Sequence, residues 1–403
     1  MAHSRSIHTL IIGAGTSGLL VAQGLKKAGL PFTIFEAENS NTYQTRPREW
    51  GMTLHWGSSH IASCLPEHLA ARISEAYADP TLPPEAVKGL PVYNGKTGEL
   101  LMEMSGDRPC RVSRRKMRNL FSEGLDVQYG KEIETLAVDE GHVKVTFKDG
   151  SEATGDVVVG CDGAKSRVRE CIVGEEAARL KHVDLWMFNF TQKFEREQAL
   201  ELRKPNKMFW TSIHPDHGTM FWVSIQDVPD PNAPETWLFQ IMMTWTNAPL
   251  PEENTFEGRM KFFKERAEEY AEPWKSVGRW VKQDSKIPMD SGTYWEAIKK
   301  WDNNNGKTTL CGDAAHPMTP HRGQGLNNAL QDSSNFVGAV IAAASGKKSL
   351  AEAIDEYDNE VLERGSTEMD ISLKQSIFIH DWDMLMQSPM VKMGLHQAKK
   401  GEA

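Results

Sequence analysis

Residues Leu310–Asp332 read LCGDAAHPMTPHRGQGLNNALQD, and this stretch decides how the rest of the chain is read. An apolar strand over 307–311 runs into Gly312-Asp313, then Pro317, Pro320, two glycines and a helix expected to open near Leu326. That layout sets a carboxylate at a strand end. Just beyond it, free backbone N–H groups top a helix N-terminus, a seat for an anionic or electron-rich ligand. A purely structural strand-to-helix turn would read the same way in isolation. The segment becomes specific because two other glycine-centred turns precede it.

The first is Gly13-Ala14-Gly15-Thr16-Ser17-Gly18, between a strand expected at His8–Ile12 and a helix at Ser17–Ala28, with a second strand at Phe32–Glu36. Gly13 permits the tight turn, Gly15 lets a pyrophosphate approach the backbone, and Gly18 allows close helix–sheet packing. Glu36, 18 residues after Gly18, is placed to accept hydrogen bonds from a ribose diol. This βαβ context predicts dinucleotide binding without separating FAD from NAD. The second turn, CDGAKSRVR over Cys161–Arg169, follows a buried strand at Asp156–Gly160. A turn capped by Asp162 at the start of a solvated basic helix accounts for it equally well.

Between these landmarks the chain changes character. From Lys181 onward, aromatic-rich strands (Val183–Phe190, Met208–Ser212, Met220–Ile225, Trp237–Trp245) alternate with proline-rich loops, which predicts a separate antiparallel sheet. The dinucleotide-type pattern resumes at Thr308, and helices at Asn327–Ser345 and from Leu350 to about Gln375 close the chain. The expected division is a discontinuous cofactor domain (1–180 and 291–345), an inserted substrate sheet domain (181–290) and C-terminal helices (346–403). The chain's 403 residues suit two to three domains. A net charge of −9 speaks against a sequence-independent nucleic-acid binder. Five scattered cysteines without C-x-x-C spacing read as reduced thiols, with neither a disulfide framework nor a metal site. No signal peptide and no run of about 18 apolar residues is found, so a cytoplasmic protein without a transmembrane segment is expected.

Taken in order, the three glycine turns resemble the fingerprints of the class A FAD-dependent aromatic monooxygenases, the para-hydroxybenzoate hydroxylase-like family. YQTRPREWGMTLHWG is most similar to fungal secondary-metabolite members. The resemblance implies a Rossmann-like α/β FAD-binding domain of the para-hydroxybenzoate hydroxylase (GR2) type, with an inserted antiparallel β-sheet substrate domain and C-terminal helices. It also implies which residues bind FAD: Gly13, Gly15, Ser17 and Gly18; Glu36 at the adenosine ribose; Arg114 of a V-x-R-x-x-L-type pattern; and Asp162 of the Asp-Gly motif, which the family uses for both FAD and NAD(P)H. Asp313 is implied at the ribityl chain. Pro320, Gly323, Gly325, Leu326 and Asn327 lie against the isoalloxazine ring, the following helix dipole aimed at its pyrimidine end. Arg46 or Arg48 contacts FAD near the flavin's gating position. NADPH or NADH is the transient co-substrate, O2 the oxidant, and the flavin C4a-hydroperoxide the species that hydroxylates or epoxidises a hydrophobic aromatic, polyketide or indole-type substrate.

The catalytic side chains stay unassigned, with Arg48, His316 and His321 as candidates. Trp186, Phe188, Trp210, Trp222, Met242 and Trp245 sit on predicted strands that could line an apolar pocket, although ordinary core packing explains each one too. The pair in His214-Pro215-Asp216-His217 has metal-like spacing but reads as a hairpin turn. The basic run Arg108, Arg111, Arg114, Arg115, Lys116, Arg118 could attract a nucleotide phosphate, or simply be a solvated helix face. Three rival readings stand beside this one: a flavin-linked oxidase or reductase without oxygen insertion, a flavin halogenase (whose W-x-W-x-I-P segment is absent), and a non-enzymatic carrier on this fold.

Overall fold

The computed structural model describes residues 6–392 except 47, 84, 85, 88, 105–109, 140, 248, 297–299 and 390. Arg108 of the basic run therefore lies outside the described residues. In chain order the strands are β1 (Thr9–Ile12), β2 (Phe32–Glu36), β3 (Gly51–Leu54), β4 (Leu90–Asn94), β5 (Leu100–Met104) and β6 (Cys110–Ser113). There follow β7 (Val127–Tyr129), β8 (Ile133–Val138), β9 (Val143–Phe147), β10 (Glu152–Gly155), β11 (Val157–Gly160) and β12 (Lys181–Lys193). The last are β13 (Phe209–Ile213), β14 (Met220–Asp227), β15 (Leu238–Trp245), β16 (Met289–Tyr294) and β17 (Thr308–Leu310).

Strands β1, β11 and β17 are buried at every residue, as a parallel sheet covered on both faces requires. They form the middle and one edge of an all-parallel sheet ordered β17-β11-β1-β2-β7. Its register puts Ile12, Gly160 and Leu310 in one row. The three glycine turns therefore leave the same sheet edge side by side, although about 300 residues of chain separate the outer two. The helices Thr16–Lys27 and Gly325–Ala344 cross at Gly24, where a Cβ would come within 2.8 Å of Val337.

The second large sheet has the order β16-β12-β15-β14-β13-β4-β5. Its pairings are antiparallel except β13 with β4. Two of its strands, β4 and β5, come from the N-terminal third, and β16 straddles the boundary expected at residue 290. Alternation along β15 sends Phe239, Ile241, Met243 and Trp245 into a core closed by helices Phe256–Glu268 and Trp274–Trp280. Gln240, Met242 and Thr244 face the other way, toward the ribbon β3–β6 and the C-terminal helices. The ribbon is fastened to that face by Gly51 N–H donating to Gln240 Oε1 at 3.0 Å. The helix Leu350–Phe378 opens on a capping box between Ser349 and Glu352 and runs past the expected end near Gln375. No helix among the described residues is long and apolar enough to cross a membrane.

Candidate functional site

The residues of the first fingerprint have two different physical explanations. A Cβ on Gly13 (φ +104°) would lie 2.5 Å from Cys161 O, and one on Gly18 would lie 2.0 Å from Gly13 O. The protein's own packing thus demands both glycines. At Gly15 the nearest atom would be 3.9 Å away, so nothing in the chain requires a glycine there. Glu36, buried, accepts Ala14 N–H (2.9 Å) and Glu38 N–H (3.0 Å), tying the second strand's end to the turn. Ser17 packs against Gly312, whose Cβ would lie 2.7 Å from Ser17 Oγ.

Five described helices have eight or more residues. Side chains cap three of them: Ser113, Thr255 and Ser349. The two uncapped ones begin at Gly15 and Gln324, at the two glycine turns, and neither has an acidic residue in its first turn. Their first-turn N–H groups and positive dipole ends are left for a ligand.

Asp313 stands beside the second of these helix starts, its Oδ1 lying 3.9 Å from the position of a Cβ on Gly325. Its side chain is open to solvent in a recess among closely packed protein atoms. Burial raises its carboxyl above the usual range, against the opposing fields of His316 and Arg114. Asp313 makes no hydrogen bond or ion pair among the described residues. Arg114 likewise makes none through its guanidinium, which lies 4.4 Å from the centre of the Trp50 ring. Burial pulls Arg114 down, the charges of Arg46 and Arg118 pull it further, and Glu49 and Asp313 push back. A free carboxylate and a free guanidinium thus share one recess.

The other expected residues are placed as follows. Arg46 pairs with Glu38 (2.6 Å) and Arg48 with Asp290 on β16. Asp162 Oδ2 accepts from Arg167 N (2.7 Å) and Val168 N (3.1 Å), and its Oδ1 is buried without a partner. Arg169 donates to Ala164 O and Ala314 O, stitching the Asp-Gly turn to the Gly-Asp turn. Pro320 opens a short 3-10 turn, and Gly323 (φ +63°) faces Thr53 on β3. Asn327 differs from expectation. Its side chain accepts from His55 N and Gly57 N and donates to Thr53 O and Gly323 O, so only its backbone is left for a ligand, as with buried Leu326.

Both candidate histidines turn out to be structural in their contacts. His316 is 1% exposed and held by Asp332 at 2.6 Å, in a buried cluster where Asp332 also takes Gly312 N–H and Arg364. Burial would lower His316, but the Asp332 charge prevails and raises it. It packs on Gly365. His321 has both ring nitrogens engaged, Nε2 with Thr244 Oγ1 (3.0 Å) and Nδ1 with Ser376 Oγ (2.8 Å). His380 Nε2 meets the same Thr244 hydroxyl at 2.9 Å and its Nδ1 donates to Ser376 O, closing a ring of hydrogen bonds. Burial and the neighbouring His380 keep His321 well below its ordinary value. A neutral histidine with neither nitrogen free is a poor acid or base.

The expected aromatic pocket splits by face. Phe188, Trp210 and Trp245 lie in the core behind the sheet, with Trp186 packed against them. Burying each such ring stabilises the fold by roughly 2–3 kcal/mol. Of the six, only Trp222 and Met242 lie on the opposite face, packed with Ile379 and Leu385 of the C-terminal segment. Sequence reasoning missed their polar neighbours on that face: Asn189, Ser224, Gln226, Gln240 and Thr244. The period-two alternation along β14 and β15 is the signal that could have found them. Among its described members the basic run is not a solvated face either: Arg111 and Arg118 are buried and only Arg115 is exposed. His214 and His217 stack at 4.0 Å in the expected hairpin turn, and no metal-holding cluster exists among the described residues.

The FAD binding domain family matches residues 6–372 of the chain. Over 399 residues the chain is 35% identical to FAD-dependent monooxygenase phnB of Penicillium herquei, covering 97% of this chain and 95% of that one. It is 36% identical over 393 residues to FAD-dependent monooxygenase cctM of Talaromyces islandicus, covering 96% of each. Among solved structures, Klebsiella pneumoniae HpxO complexed with FAD and uric acid matches with a TM-score of 0.75 at 20% identity, over 98% of this chain and 94% of that one. The 2,6-dihydroxypyridine-3-hydroxylase of Arthrobacter nicotinovorans matches with a TM-score of 0.73 at 15% identity, over 94% of each. These last two are likenesses of fold.

Proposed function

This chain belongs to the FAD binding domain family and is an FAD-dependent monooxygenase of the secondary-metabolite type; from that premise we propose how its residues divide the work. Gly15 and the helix start behind it take the pyrophosphate, Glu36 the adenosine ribose and Asp313 a ribityl hydroxyl, with Ser17, Arg46, Arg48, Arg114 and Asp162 around them. The turn Pro320–Gly325 lies against the flavin ring, and the backbone N–H groups opening the helix at Gly325 face its electron-rich end. The observation that carries this reading is the recess itself. Two uncapped helix starts, a carboxylate and a guanidinium without protein partners among the described residues converge there, and each offers a ligand an unused charge or hydrogen bond.

When bound, FAD supplies the redox chemistry, passing electrons from NADPH or NADH to O2 and delivering one oxygen atom to the substrate. The chain's own task is to orient a hydrophobic aromatic substrate between the Pro320 turn and the Met242 face of the large sheet, and to keep water out. No side chain is needed as a catalytic acid or base in this scheme, which agrees with the engaged state of His321. The division proposed is a cofactor domain, a sheet domain that also takes in β4, β5 and β16, and C-terminal helices, in a cytoplasmic setting suited to the free cysteines.

Two measurements test this. Oxygen-18 gas should place one labelled atom in product for each NADPH consumed with a turned-over aromatic substrate; unlabelled product would leave an oxidase or reductase. Asp313→Ala should lower FAD affinity by about tenfold or more while the far-UV spectrum stays native. Full flavination of that variant at native affinity would remove Asp313 from the site.

A further inference from the structure

The sheet face turned toward the ribbon β3–β6 carries a buried cation with no counter-ion among the described residues. Arg111 on β6 is 7% exposed, and its guanidinium donates only to neutral oxygens: Thr53 Oγ1 (3.0 Å), Ser224 Oγ (3.4 Å) and Gln240 Oε1. Its Nε–H has no partner, and it joins no ion pair among the described residues. Burial alone pulls this guanidinium down to about 9, with no carboxylate pushing back. Asp79 shares a water-sized cavity of about 10 Å³ with Arg111, but Arg203 (2.7 Å) already neutralises it and the Thr81 hydroxyl donates to its other oxygen (2.6 Å).

Further polar groups without partners lie beside Arg111. Trp222 Nε1 and both amide atoms of Gln226 are buried and unpartnered. Trp222, Ser224 and Gln226 share one face of β14 by alternation, and the guanidinium lies 5.6 Å from the Trp222 ring centre. Arg111 Nε and Gln226 Oε1 converge on Gly51, reaching 2.7 and 2.6 Å from where a Cβ would stand. Native interiors leave few polar atoms unsatisfied, and a buried charge without a partner is among the costliest. A cluster of this kind beside the substrate face is explained by a ligand that completes it.

We propose that Arg111, with Gln226 and Trp222, is the specificity-determining subsite for an ionised ring oxygen of the substrate, a phenolate or an enolised ketone. This rests on the monooxygenase reading above. Transfer of an electrophilic oxygen atom needs an electron-rich ring, and ionising a hydroxyl on that ring supplies the electrons. A guanidinium suits the task because it stays charged near neutrality and favours the oxyanion without exchanging a proton. The donors of Gln226 and Trp222 fix where that oxygen lies, and so which ring carbon is presented.

The test uses the FAD-loaded protein, titrated with 1-hydroxy-2-acetonaphthone and with its O-methyl ether at mildly alkaline pH, with flavin absorbance changes as the readout. Wild type should bind the hydroxy compound about tenfold more tightly than the ether. Arg111→Met should abolish that preference while leaving affinity for the ether and for FAD within about twofold. Gln226→Leu, which keeps the arginine network, should reduce the preference by roughly threefold. The proposal is overturned if wild type shows no preference or binds neither probe, or if Arg111→Met weakens both probes equally, as a merely structural arginine would. Should Arg111→Met fail to fold, an unchanged preference in Gln226→Leu overturns it. Intact preference without labelled oxygen in product would sink the monooxygenase reading and leave the subsite standing.

Discussion

Gly13, Gly15 and Gly18 belong to one motif but respond to different forces, and substitution should separate them. Gly13→Ala must place a Cβ against Cys161 O from a left-handed backbone, and is expected to cost on the order of 2–3 kcal/mol of stability with or without FAD. Gly15→Ala meets no protein atom within 3.9 Å, so urea unfolding of the FAD-free protein should be native while FAD affinity falls about tenfold or more. Equal destabilisation by both variants would show that Gly15 is structural. The motif was legible in the sequence because glycine spacing between a strand and a helix is local information. The side chain of Asn327 was not. Its position at the helix start is plain from Pro320 and the glycines, yet its four partners come from β3, from the segment after β3 and from Gly323. The same holds for His316 and His321: Asp332 and Ser376, 16 and 55 residues onward, decide what those rings can do.

Strand β15 shows what an element adds to its residues. Its aromatic and aliphatic content announced a buried strand, but composition does not say which face looks at the ligand. That is fixed by register with β12 and β14 and by the helices packed behind. Phe188 on β12 and Met242 on β15 therefore make a matched pair of probes. Phe188→Leu should cost roughly 1–3 kcal/mol in urea unfolding and leave the affinity ratio for naphthalene- and anthracene-sized ligands unchanged. Met242→Leu should stay within about 1.5 kcal/mol of wild type and still shift that ratio severalfold. The reverse pattern would mean that substrate lies on the other side of the sheet. The two uncapped helices carry the same lesson: Ser, Thr or Asp at an N-cap is visible in sequence. Its absence acquires meaning only when sheet register sets both bare ends on one recess.

Across the whole molecule, β17 and the helix Leu350–Phe378 bring the last third of the chain back to the first, and buried titratable groups fasten that return. Asp358 on the helix accepts Thr309 Oγ1–H from β17 and Asn303 Nδ2–H (2.8 Å). Burial raises its carboxyl to about 7. Between its ordinary value near 3.8 and about 7 the folded state holds more protons at this site than the unfolded chain, so its contribution to stability falls as pH rises. Six histidines (His55, His60, His214, His217, His321 and His380) are shifted the other way, burial being the first cause in each. Below 6.5 the unfolded chain protonates them more readily, so their contribution is lost as pH falls. Raised His316 adds stability below 6.5 that disappears as pH climbs through its folded value. The six lowered histidines stand against four raised groups (His316, Asp358, Asp313 and Asp162), so stability should rise from about pH 4.5 to about 6.5 and decline above it. Asp358→Asn removes one opposing carboxyl, the one raised to about 7, and keeps an acceptor for Thr309. It should steepen the rise below pH 6.5 by up to about 1.4 kcal/mol per pH unit. Urea unfolding of both proteins in saturating FAD across that range reads the difference directly, because the linkage to FAD cancels between them. An unchanged slope would mean that Asp358 is already ionised in the folded protein, and that hydrogen bonds from Thr309 and Asn303 compensate the burial in full.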